Sequence, residues 1–157
     1  MSMDFFDSTS EQQIESFTKT AREMLAGYGL NEVEVKCINY EFNATFSVVT
    51  GSGDKYALRI NVNSTRTLGN IQAEIEFVNF ASRIPGIKVA RPVANSKDSY
   101  VSSIVHPESG RTLHGILYTW LEGEEIGDEP THEQLVTLGA AMARMHQSSR
   151  EFKLSEK

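Results

Sequence analysis

The chain is poor in the residues that staple or interrupt a fold. It has one cysteine, Cys37, so no disulfide can form within it. Cys37 stands in an alternating strand, reads as a small core residue, and fits a reducing, cytoplasmic setting. The four prolines, Pro85, Pro92, Pro107 and Pro130, fall at expected element boundaries. No apolar run approaches transmembrane length. The opening Met-Ser-Met-Asp-Phe-Phe-Asp lacks the basic region and apolar stretch of a secretory leader. Positive charge is also short: the formal net charge is −6. That argues against a general nucleic-acid binder or a protein of anionic membrane surfaces.

Catalytic signatures are missing as well. His132-Glu133 begins a zinc-protease pattern, but position 136 is Val. Gly51 and Gly53 form G-x-G without a third glycine, inside a turn. There is no Walker-type phosphate loop and no G-x-S-x-G elbow. The four histidines are scattered, and none neighbours a cysteine. A metal enzyme or a triad hydrolase is not indicated.

What remains is a chain of 157 residues, long enough to bury one real core, with 39% hydrophobic and 23% charged residues, as in a globular domain. Ser10 with Gln13 reads as a capping box opening a helix. Ile14, Phe17, Ala21, Met24, Leu25 and Tyr28 form its apolar stripe, and Gly27 or Gly29 ends it. Val33, Val35 and Cys37 alternate with charged residues, so 33–40 reads as a strand. Asn43 suits the following turn. Residues 45–50 are a second strand. A Gly-Ser-Gly-Asp turn at 51–54 leads to a third, Lys55–Val62.

In that third strand Tyr56, Leu58, Ile60 and Val62 take one face and Arg59 the other. Ser64, Thr65 or Thr67 caps a second helix. It carries Leu68, Ile71, Ile75, Phe77 and Val78 at helical spacing, with Glu74 on the flank of the stripe, and it stops at Pro85-Gly86. Taken singly, Arg59 and Glu74 each fit a solvated surface. Ile87–Val93 reads as a fourth strand with Pro92 near its end. Tyr100–His106 and Leu113–Trp120 follow as strands, then an acidic linker at 122–129. Thr131 with Gln134 caps a last helix, 132–146, striped by Leu135, Leu138, Met142 and Met145. The order predicts an α+β fold: an antiparallel sheet of about five strands with segregated helices.

Five segments in fixed order carry a resemblance. They are Tyr40-Glu41-Phe42-Asn43-Ala44-Thr45-Phe46-Ser47-Val48, Tyr56-Ala57-Leu58-Arg59-Ile60, Ala73-Glu74-Ile75, Leu117-Tyr118-Thr119-Trp120-Leu121-Glu122-Gly123, and the closing stretch Leu138–His146. Together they resemble the N-terminal half of the aminoglycoside phosphotransferase family, which includes choline and homoserine kinases and has a protein-kinase-like fold. The resemblance implies an N-terminal helical extension at 1–29, a kinase-like lobe at 30–121, and a hinge linker with the first helix of a second lobe at 122–157. It implies ATP as cofactor and a hydroxyl-bearing small molecule as acceptor.

Backbone amides near Asn43, Ala44 and Thr45 would cover the phosphates. Arg59 would contact them and pair with Glu74. The Thr119 carbonyl and Leu121 amide would bind the adenine edge, with Val48, Ala57 and Tyr118 lining its pocket. The family's catalytic loop, His-x-Asp-x-x-x-x-Asn, has no match here, and neither does its metal-binding Asp. No catalytic residue and no metal ligand is therefore assigned in this chain, and Mg2+ is expected only in a longer parent. The chain alone is expected to be inactive, and its last helix to self-associate or fold back. The alternatives are a stand-alone nucleotide-binding or regulatory module, and a plain interaction domain in which Arg59 and Glu74 are a surface pair.

Overall fold

A computed structural model describes residues 5–155. Five strands form one antiparallel sheet: β1 (Val33–Tyr40), β2 (Asn43–Thr50), β3 (Lys55–Asn61), β4 (Ser102–Val105) and β5 (Thr112–Thr119), in the order β1-β2-β3-β5-β4. Two α-helices, α1 (Ser10–Ala26) and α2 (Leu68–Ala81), flank it, and a third, α3 (His132–Ser149), follows the linker. The β2–β3 turn closes because Gly53 adopts φ +90° and the Thr50 hydroxyl accepts from the Asp54 amide at 3.0 Å.

The side-chain period of two divides the sheet cleanly. Ala44, Phe46 and Val48 of β2, Leu58 and Ile60 of β3, and Leu113 and Leu117 of β5 face α1, where they bury Phe17, Ala21, Met24 and Leu25. Each large side chain so buried contributes about 1.5–3 kcal/mol. The opposite face carries Ile116 and Tyr118, which pack against Ile71 and Ile75 of α2. The sheet is thus sandwiched, α1 on one side and α2 on the other. Gly115 lies opposite Ile60 on the α1 face. A Cβ there would stand 2.3 Å from the Met24 sulfur, so the glycine is what lets α1 seat.

Polar groups on the buried face of α1 are tied down. Gln13 donates to the carbonyls of Phe6 and Ser8 and accepts from the Tyr40 hydroxyl. His106 is fully buried, with Ser16 Oγ 2.8 Å from Nε2, Ser109 Oγ 2.8 Å from Nδ1, and Phe5 and Phe17 against its ring. Burial pushes its pKa below the usual value, against the upward pull of Glu108.

Two expectations need correction. The α1 capping box is Thr9 with Gln12, not Ser10 with Gln13, because Gln13 turns inward. Ile87–Val93 is not a strand. Only Pro92 bridges to Tyr118, flanked by Val93 N–H to Leu117 O and Thr119 N–H to Arg91 O, both at 2.8 Å. Pro92 has no N–H to continue a ladder. On α3, Leu135, Leu138 and Met142 of the apolar stripe are 50%, 44% and 52% exposed. The Arg144 guanidinium of α3 lies against Gly86, and the tail beyond α3 returns, with Phe152 packing on Phe77 and Phe80 of α2.

Candidate functional site

β3 presents Ala57, Arg59 and Asn61 to the face away from α1. Their register partners on β2 are Ser47, Thr45 and Asn43; on β5 they are Tyr118, Ile116 and His114. α2 crosses this face and brings Glu74 onto Arg59. Thr67 and Asn70 form the reciprocal capping box that fixes where α2 begins, and so where Glu74 falls.

Glu74 is the hub of a charged cluster. Arg59 Nη2 donates to Glu74 Oε1 at 2.6 Å, with the two side chains only 25% and 23% exposed. Arg66, from the β3–α2 loop, donates through Nη1 to Oε2. The Tyr118 hydroxyl lies 3.3 Å from both Glu74 Oε1 and Arg59 Nη2, and the Arg59 guanidinium sits 5.4 Å from the Tyr118 ring centre. Burial pushes the Tyr118 pKa up to about 12, with Glu74 adding and Arg59 and Arg66 opposing. The phenol stays neutral near pH 7 and donates to the carboxylate. Two guanidiniums on one carboxylate leave a net positive charge at this end of the sheet.

Beside the cluster opens a cavity of about 460 Å³, lined among others by Asn43, Arg59, Asn61 and Arg66. A larger concavity, about 590 Å³, lies between Ile126 and α3, away from the charged cluster. At the far end of β5, Lys55 Nζ lies 3.5 Å from Glu122 and 5.9 Å from the Trp120 ring centre, tying the linker to β3. Among the described residues the Leu121 amide has no main-chain partner, and its side chain is exposed. No group of three or more His, Cys, Asp or Glu among the described residues is placed to hold a metal ion. No helix among them is long and apolar enough to cross a membrane.

The fold brings Asn43, Thr45, Ala57, Arg59 and Glu74 to one face. Ala44 faces α1 with its side chain and lies in register with Tyr40 and Ile60. Val48 is corrected: it is fully buried against α1 and cannot line a pocket shared with Ala57. Ser47 is the β2 residue directly opposite Ala57 on that face. The Tyr118 side chain is committed to the Arg59–Glu74 cluster, while Thr119 and Leu121 sit where β5 passes into the linker. The structure adds Ser47, Asn61 and Arg66 to this face. Strand parity from the 51–54 turn was enough to find Ser47. Arg66 lies in a polar loop with no signal of its own.

A five-stranded antiparallel sheet whose third strand carries a cation paired to the next helix defines a kinase-like domain. Comparison with known proteins agrees. Residues 40–156 match the model of the phosphotransferase enzyme family, APH, and the chain belongs to that family. An uncharacterized protein of Synechocystis sp., sll1119, is 33% identical over 103 residues, which is 65% of this chain and 27% of that protein. The fold superposes on an amicoumacin kinase, hAmiN, solved in complex with AMP-PNP, Ca2+ and Ami, with TM-score 0.73 and 21% identity over 94% of this chain and 45% of that one. It also superposes on a microcompartment-associated aminopropanol kinase, with TM-score 0.71 and 21% identity over 87% of this chain and 42% of that one. The chain spans less than half the length of each of these proteins.

Proposed function

We propose that this chain is the N-terminal, nucleotide-binding lobe of an ATP-dependent phosphotransferase that moves the γ-phosphate to a hydroxyl of a small molecule. One observation carries the reading: the 2.6 Å Arg59–Glu74 pair on the sheet face that also bears the β1–β2 hairpin residues Asn43 and Thr45. The kinase neighbours of similar fold, one of them solved with AMP-PNP and Ca2+, support it.

In this reading Arg59 neutralises the phosphates, and Glu74 with Tyr118 holds the guanidinium in place. Backbone groups near Asn43, Ala44 and Thr45 cover the phosphates from above. Ala57 and Ser47 floor the adenine, and the Thr119 carbonyl and Leu121 amide meet its edge. The fit rests on the net positive charge of the cluster and on the uncommitted Leu121 amide. A divalent ion, when bound, adds charge neutralisation at the transferring phosphate. Its ligands and the catalytic base are assigned to chain beyond these residues, and so is most of the acceptor pocket.

The test is turnover and binding by the pure chain of 157 residues. It is expected to bind nucleotide weakly and to transfer no phosphate to any member of an acceptor panel, because positioning supplies most of the rate. Acceptor-dependent turnover would contradict the division of labour proposed here. Absence of any nucleotide binding would contradict the lobe assignment.

A further inference from the structure

Gln13 lies on the core side of α1, only 8% exposed, and both ends of its carboxamide are engaged. Nε2 donates to the carbonyls of Phe6 at 3.2 Å and Ser8 at 2.9 Å, so both N–H bonds go to the turn that precedes α1. Those two carbonyls fix which way the carboxamide points, and Oε1 is left to face the sheet. There it accepts from the Tyr40 hydroxyl. Burial pushes the Tyr40 pKa up, so the phenol stays a donor near pH 7.

Tyr40 reaches α1 because β1 is irregular. Val33, Val35 and Cys37 pack toward α1, and strict alternation would send Asn39 the same way and turn Tyr40 to the opposite face. Instead the register with β2 shifts between Cys37 and Asn39, and Ile38 falls outside the pairing, half exposed. That extra residue reverses the parity and re-aims Tyr40. Its ring joins the α1 core, 5.6 Å from the Phe17 ring centre. Tyr40 is also the last residue of β1, and the hairpin turn Glu41-Phe42 follows it directly. The other side of that turn is held by Asn63, whose amide donates to the Phe42 carbonyl at 3.1 Å and whose Nδ2 donates to the Glu41 carbonyl at 3.2 Å.

We propose that Gln13 is a positioning residue for phosphate binding: through Tyr40 it fixes the β1–β2 hairpin over the cleft. The inference rests on the nucleotide reading, in which backbone groups near Asn43, Ala44 and Thr45 cover the phosphates. Gln13 touches no ligand. It holds the residue that enters the hairpin against α1, and the Phe6 and Ser8 carbonyls hold Gln13 in turn. Without the link the hairpin must be ordered as the phosphates bind, and that ordering lowers affinity.

Native-state amide exchange, with ATP and adenosine titrations of the full chain, tests this in Tyr40→Phe, Gln13→Leu and the double variant. Tyr40→Phe keeps the ring and removes only the hydroxyl, so it carries the test if Gln13→Leu fails to fold. The Glu41 and Asn63 amides bond across the hairpin turn and report on it. Their exchange should rise about fivefold in each single variant and no further in the double, beyond any factor shared by the core amides of Leu58 and Leu117. ATP affinity should fall about threefold, while adenosine affinity is unchanged. A rise shared equally by hairpin and core, or no rise at the hairpin, overturns the positioning role and leaves the nucleotide reading intact, provided ATP still binds. Local loosening with unchanged ATP affinity overturns it too. A parent chain that binds no ATP removes the nucleotide reading, and this role with it.

Discussion

Arg59 Nη2 stands 2.6 Å from Glu74 Oε1, so the third strand and the second helix are joined by a direct charge-assisted bond. The contact is only partly solvated. Glu74 also takes Arg66 and the Tyr118 hydroxyl, so one carboxylate organises three side chains.

Removing that carboxylate should cost more than removing any one of its partners. Glu74→Ala leaves two guanidiniums without a counter-charge and is expected to destabilise the chain by about 1–3 kcal/mol in urea unfolding. Arg66→Ala, at an exposed position, should cost no more than about 1 kcal/mol. Equal losses for the two would show that Glu74 is not the hub.

The seat of α1 depends on a missing side chain. Gly115→Ala puts a Cβ 2.3 Å from the Met24 sulfur and is expected to cost about 1–3 kcal/mol. Met24→Ala creates a cavity and should cost about 2–5 kcal/mol. The double substitution should cost clearly less than the sum of the two, because each relieves the other's fault. Strict additivity in thermal melts would place the strain elsewhere.

Much of this architecture was legible in the residues. The Thr67–Asn70 and Thr131–Gln134 helix starts follow from capping chemistry, and the 51–54 turn fixes the β2–β3 hairpin. Ser8-Thr9-Ser10 offers three neighbouring caps and Gln12-Gln13 two closing residues; the choice was made by tertiary bonds from Gln13 that no local rule contains. The stretch before Pro92 is apolar enough for a strand but lacks the donor a ladder needs. In the site, the Arg59–Glu74 pair followed from motif order. The 51–54 turn sets the β2–β3 register, which puts Ser47, and not Val48, opposite Ala57. The orphan atoms of Asn43, Asn61 and Arg59 are tertiary facts with no sequence signature.

The buried His106 makes stability depend on acidity. Its pKa is lowered in the folded chain, so the unfolded chain binds the proton more readily. The stability it confers is present above the ordinary value of 6.5 and is lost as pH falls below it. Glu108, also lowered, extends the loss to more acid pH. The melting temperature should fall between about pH 7 and 5, and His106→Gln should flatten that limb. An unchanged limb in the variant would assign it to other groups.

The uncovered stripe of α3 invites association. Leu135, Leu138 and Met142 form an exposed apolar face of the kind that mediates contacts between copies. Light scattering should show mass rising with concentration, and the pair Leu138→Glu with Met142→Glu should return the chain to a monomer. A parent chain that stays monomeric at all concentrations would remove this expectation.

The central claim is that this lobe holds a nucleotide between its hinge and its charged cluster. Amide NMR of the isotopically labelled chain, titrated with ATP, tests it most directly. With one wall of the cleft present, the dissociation constant should be on the order of 1 mM. The largest shifts should fall on Thr45, Ser47, Ala57, Arg59 and Leu121, and Arg59→Ala should abolish those nearest the phosphates while sparing Leu121. Shifts confined to α3 or to the α1 face, with Arg59 and Leu121 unmoved, would contradict the account.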